Sequence, residues 1–89
     1  MRSRVLIRLK PGILDAQGAS VRRALEGLGF PEVTDVRIGK VVDLDLDGLD
    51  REAVWRRIDE MCARLLVNPV IEDFTIEVLD ESGSCQKRA

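Results

Sequence analysis

The chain has no histidine and no tyrosine among its 89 residues. Without imidazole, proton transfer near neutral pH would need a carboxylate, lysine or thiol with a strongly displaced pKa, and no pattern in the sequence singles one out. Aromatic side chains are limited to Phe30, Trp55 and Phe74. The core must therefore be built from Val, Ile and Leu, and the central strands offer no platform for stacking RNA bases. Two cysteines, Cys62 and Cys85, lack CxxC spacing and have no histidine to join them, so neither reads as a disulfide partner or a metal ligand. Cys62 sits in a helical pattern as a small apolar residue. No apolar run reaches the roughly eighteen residues of a membrane span. The first strand begins a few residues after Met1, which leaves no room for a secretory signal, and a cytoplasmic location is expected. A net charge of -2 gives no overall attraction to nucleic acid or to an acidic membrane.

What is present is a single alternating and periodic pattern, expected to form one domain over residues 1–79 with a flexible tail over 80–89. Strand one puts Val5, Ile7 and Leu9 on one face and Arg4, Leu6, Arg8 and Lys10 on the other. Pro11-Gly12 stops it. Asp15 is placed to cap a helix over 16–28 whose apolar positions are Val21, Ala24, Leu25 and Leu28, and Gly18 within it implies a close packing contact. Next come Asp35-Val36-Arg37-Ile38-Gly39-Lys40 and Val41-Val42-Asp43-Leu44-Asp45-Leu46, which alternate on both sides of Gly39 and are expected to form a hairpin. Asp50 caps a second helix with the stripe Val54, Ile58, Met61, Cys62, Leu65 and Leu66, and Trp55 at its core edge. Asn68-Pro69 ends it. The last strand puts Phe74, Ile76 and Val78 on one face.

The resulting order, βαββαβ with right-handed crossovers, is an α+β ferredoxin-like plait: a four-stranded antiparallel sheet carrying two helices on one face. Leu6, Ile71 and Leu79 on the second face would then need cover, and self-association is the simplest source.

Candidate chemistry mostly fails its own tests. Gly39-Lys40 lacks the glycine and the Ser or Thr of a phosphate loop, and Gly27-Leu28-Gly29 closes a helix where a dinucleotide fingerprint opens one. Asp43, Asp45 and Asp47 line one strand face, better read as solvated than as a metal site. No metal site is expected.

Three separated stretches carry a resemblance: Gly12-Ile13-Leu14-Asp15-Ala16-Gln17-Gly18, Asp35-Val36-Arg37-Ile38-Gly39-Lys40, and residues 61–74 from Met61 to Phe74. In this order and spacing they closely resemble the PurS family, small subunits of phosphoribosylformylglycinamidine synthase. Ala16, Val67 and Phe74 depart from residues common in that family.

The resemblance implies a subunit with no activity alone, an adaptor in an ATP-dependent ligase complex of de novo purine biosynthesis. Its implied partners are a large synthetase subunit, PurL, a glutaminase subunit, PurQ, and itself, as a homodimer or as two dimers in a tetramer. Ammonia released by the glutaminase would pass to the synthetase within the complex. No cofactor is implied on this chain; ATP and Mg belong to the large subunit. Partner-binding candidates are Arg37, Lys40, Asp15, Gln17, Glu72 and Asp73, while Gly39, Asn68 and Pro69 read as turn and cap residues. A dimeric small-molecule sensor of the amino-acid-binding plait type is the alternative.

Overall fold

The computed structural model describes residues 1–79 and the backbone of residues 85–88. Its elements are β1 (Arg2–Leu9), α1 (Ala16–Gly27), β2 (Lys40–Asp45), α2 (Arg51–Met61) continued by a π-helical turn (Cys62–Leu66), β3 (Glu72–Leu79) and β4 (Cys85–Arg88). The sheet is antiparallel, in the order β2-β1-β3-β4. Both helices start where short acidic side chains can take up free amides: the Asp15 carboxylate accepts from Gly18 N and that of Asp50 from Ala53 N.

The core lies between one sheet face and α2. Val5 and Ile7 of β1 stand opposite Ile76 and Phe74 of β3, and Val54, Trp55, Ile58 and Cys62 close over them. Burial pushes the Cys62 thiol above its ordinary pKa, with a smaller contribution from Asp59, so it stays protonated and inert at neutral pH.

The α+β class holds, but the expected plait differs from this chain in four ways. First, residues 35–39 are not a strand; of the expected hairpin only Lys40–Asp45 pairs, with β1. Gly39 does not adopt the positive φ that a tight hairpin turn requires. Instead it passes so close to β1 that a Cβ there would lie 2.5 Å from the Ile7 carbonyl oxygen. Second, the strand beside β3 is Cys85–Arg88, from the stretch expected to be a flexible tail; the rest of that stretch, residues 80–84 and 89, falls outside the described residues. Third, among the described residues only α2 and its π-helical continuation cover the sheet. α1 has a single buried residue, Gly18, and contributes nothing to the core cluster.

Fourth, the second sheet face is mixed rather than apolar. Arg4 of β1 stands between Asp43 of β2 and Glu77 of β3, Arg2 between Asp45 and Leu79, and Arg8 opposite Asp73 of β3, with Leu6 between Val41 and Thr75. Arg4 Nε reaches Asp43 Oδ1 at 2.7 Å. Opposite charges directly across strands stabilise a sheet while remaining solvated, and this face is mixed, with Val41 on it 58% exposed.

The π-helical turn overturns one further expectation. An extra residue in the turn rotates the side chains after Cys62 out of the α-helical stripe, and Leu65, read as core, is 83% exposed.

The chain is long and thin as a result. Its extents are 49 × 30 × 15 Å and its radius of gyration is 16.2 Å, against roughly 12 Å for a compact domain of this length. α1 and the segment that returns from it form an arm rooted where β1 ends and β2 begins.

Candidate functional site

The sequence motifs converge on the root of that arm. Asp15 is 8% exposed. One carboxylate oxygen accepts from Gly18 N at 2.8 Å and the other from Ile38 N at 2.7 Å, tying the start of α1 to the end of the returning segment. These two amides, together with nearby Arg37, hold the Asp15 carboxyl below its ordinary pKa of 3.8. Arg37 donates to the carbonyls of Leu9 and Lys10 at 3.4 and 3.3 Å. Gly18 is needed because the backbone packs directly on it: an added Cβ would collide with the Val36 carbonyl and lie 2.6 Å from Asp15 Oδ2.

The third motif closes the same corner from the other side. Glu72 accepts from Asn68 N at 2.8 Å and its second oxygen lies 3.4 Å from Lys40 Nζ. The amide contact first, and Lys40 second, lower its pKa. Asn68 Oδ1 accepts from Val70 N, an Asx turn that leads past Pro69 into β3. Lys10 N donates to Ile71 O, so the ends of β1, β2 and the α2–β3 connection are joined within a few residues.

Of the candidates, Asp15, Arg37, Lys40 and Glu72 are brought together, with Gly39 and Asn68 between them. Gln17 and Asp73 are exposed, with Asp73 opposite Arg8 in the sheet. Sequence reasoning missed the backbone partners: the carbonyls of Leu9 and Lys10, which accept from Arg37, and the amide of Ile38, which donates to Asp15, carry no residue signature. Only Gly18, an unfavourable residue inside a helix, signalled a close contact.

A cleft of about 390 Å³ lies against this root, lined by residues including Asp15, Gly18, Arg22, Asp35 and Arg37. Among the described residues no three His, Cys, Asp or Glu side chains are grouped to hold a metal ion, and no helix is long and apolar enough to cross a membrane.

The carboxylates here are ionised at neutral pH and engaged as acceptors, so they order backbone rather than exchange protons. Because the folded-state pKa of Asp15 lies below its unfolded value, its contribution to stability is fully present above about 3.9 and is lost as pH falls through the folded value. Asp15→Asn should therefore be less stable than the parent at pH 7, and the difference should shrink by pH 3. Urea midpoints at the two pH values check this; an equal difference at both would contradict it.

A small α+β module whose marked side chains are used to fix one of its own segments, exposing an arm, is built for assembly. The chain belongs to the PurS family: the family model for PurS, phosphoribosylformylglycinamidine (FGAM) synthase, matches residues 2–80. Subunit PurS of that synthase from Methanocaldococcus jannaschii is 42% identical over 77 residues, 86% of this chain and 93% of the relative. The Bacillus subtilis subunit is 44% identical over 75 residues, 84% and 88% of the two chains. The crystal structure of the M. jannaschii PurS superposes with a TM-score of 0.77 at 40% identity, covering 84% of this chain and 90% of that one. A chain of the PurLQS structure from Thermotoga maritima gives a TM-score of 0.78 at 28% identity, covering 84% and 92%. Such coverage cannot be reached without residues of the arm.

Proposed function

We propose that this chain is the small, non-catalytic subunit of phosphoribosylformylglycinamidine synthase in de novo purine biosynthesis, working in the cytoplasm. It joins the glutaminase subunit PurQ to the large synthetase subunit PurL and supports ammonia transfer between them. It holds no cofactor of its own; ATP and Mg bind the large subunit. The observation that carries this reading is the family match across residues 2–80. The likeness to a chain of a PurLQS assembly supports the same partners. The working unit is a homodimer.

The test is reconstitution of glutamine-dependent synthase activity from the large subunit and glutaminase, with and without this chain. Activity should depend on the chain, while ammonia-dependent activity of the large subunit should depend on it far less. Equal glutamine-dependent activity in both mixtures would overturn the adaptor role.

Lys40→Ala should fold normally, because Lys40 is 67% exposed at its ion pair with Glu72 and such pairs contribute about 1 kcal/mol or less. Its glutamine-dependent activity in the reconstituted complex should fall. Full activity would remove Lys40 from the partner contact.

A further inference from the structure

The outer side of β3 is only half covered. β4 stands opposite Ile76, Glu77, Val78 and Leu79, and among the described residues no strand lies on that side of Glu72, Asp73, Phe74 or Thr75. One bond decides which backbone groups this leaves over. Ile71 O accepts from Lys10 N at 2.8 Å, so Ile71 turns its backbone groups to β1 and, by the alternation of an antiparallel ladder, Asp73 and Thr75 do the same. Glu72 and Phe74 turn theirs outward. Glu72 N is taken up by Asn68 O at 2.8 Å. The N–H and C=O of Phe74 and the C=O of Glu72 remain, on a strand edge of the kind that accepts another strand.

The side chains beside this edge form a cleft of about 580 Å³, lined by residues including Cys62, Ala63, Val67, Pro69 and Phe74. Its size falls within the roughly 300–1,000 Å³ of sites that enclose a ligand. The floor is firm, since Cys62 is fully buried and Val67 7% exposed, and both belong to the core on which Phe74 packs. Ala63 stands exposed at its side, where a larger residue would narrow it. The cleft lies on the opposite side of the sheet from β2.

The rim selects for charge. Asp59, Glu72 and Asp73 line the cleft with a single cation, Lys10. Glu72 is offset by Lys40, whereas Asp59 and Asp73 are exposed. The charge of Asp59 reaches the floor, where it adds to burial in raising the pKa of the Cys62 thiol. An occupant of opposite sign is therefore favoured.

We propose that an extended, net-positive segment of a catalytic subunit docks here as an added strand. Its main chain bonds Phe74 and Glu72, its alternate apolar side chains enter the cleft over Cys62 and Val67, and its basic side chains meet Asp59 and Asp73. Main-chain bonds supply affinity in such a contact, and the pocket for alternate side chains supplies specificity.

This inference rests on the adaptor reading above and names a contact that the adaptor uses. The test is hydrogen exchange, resolved to single amides by mass spectrometry, on the chain alone and in its complex with the large subunit and the glutaminase. The Phe74 amide should exchange quickly in the chain alone and about tenfold or more slower in the complex. Those of Asp73 and Thr75 should be slow in both, because they already bond β1. A complex in which Phe74 exchange is unchanged, or a chain alone in which it is already slow, would overturn the added strand while leaving the adaptor role. Failure of the complex to form would overturn both. Independently, Ala63→Trp fills the cleft from an exposed position and should weaken association with the two catalytic subunits about tenfold or more, with thermal melting unchanged. Asp59→Lys should weaken it by about threefold to tenfold, less at high salt. Association equal to the parent's in both variants would also overturn the added strand.

Discussion

Replacing Ile58 with alanine should destabilise the chain by about 2–5 kcal/mol, the range for truncating a fully buried branched side chain without collapse of the surroundings. Ile58 is fully buried and lies in the part of α2 that closes over the paired faces of β1 and β3. The cavity cannot relax easily, since the sheet on one side is held by two continuous ladders. The loss is large for so small a protein, whose total stability is on the order of 5–15 kcal/mol. Urea unfolding at fixed protein concentration measures it. A change below about 1 kcal/mol would mean that α2 does not seat on the sheet through this side chain.

The second large effect is expected at Gly18, where two opposing terms decide the sign. Gly→Ala inside a helix ordinarily stabilises by up to ~1 kcal/mol. At Gly18 the added methyl would meet the Val36 carbonyl and the Asp15 carboxylate. Neither can yield cheaply, one being backbone and the other already bonded to two amides. Overpacking of this kind costs roughly 1–3 kcal/mol, so Gly18→Ala should be destabilising on balance and should loosen the arm at its root.

Gly27 supplies the control within the same helix, because a Cβ there would meet nothing within 4 Å. Gly27→Ala should be neutral or mildly stabilising. The pair of variants separates close approach from helix propensity; stabilisation by both would show that α1 does not pack on residues 36–38.

Much of this organisation was legible in the chain because it rests on local rules. Asp15 and Asp50 were readable as caps from their place before amphipathic stretches, and the alternation of Phe74, Ile76 and Val78 correctly put them on one face. Gly18 announced its contact by being a poor helix residue.

What could not be read depends on which segments meet. The arginines of β1 looked like one side of a partly apolar face until pairing set Asp43, Asp45, Asp73 and Glu77 beside them. The π-helical turn at Cys62–Leu66 has no sequence signal, so Leu65 was placed in the core. Residues 35–38 alternate as a strand should, and that pattern is real. Among the described residues no strand pairs with it, and the Ile38 amide is taken up by Asp15 instead.

The same root explains the different standing of the candidate site residues. Asp15 and Arg37 bond the backbone at the root of the arm, whereas Glu72 bonds the Asn68 amide at the α2–β3 corner. Lys40 combines a contact to Glu72 with substantial exposure.

The central claim is that this chain is an assembly subunit, and the most direct measurement is the mass and composition of what it forms with the large synthetase subunit and the glutaminase. The three purified proteins, mixed and separated by size exclusion with light scattering, should yield a species containing all of them, and omitting this chain should leave the other two apart. Elution of this chain on its own, with the other two associating equally well in its absence, would contradict the account.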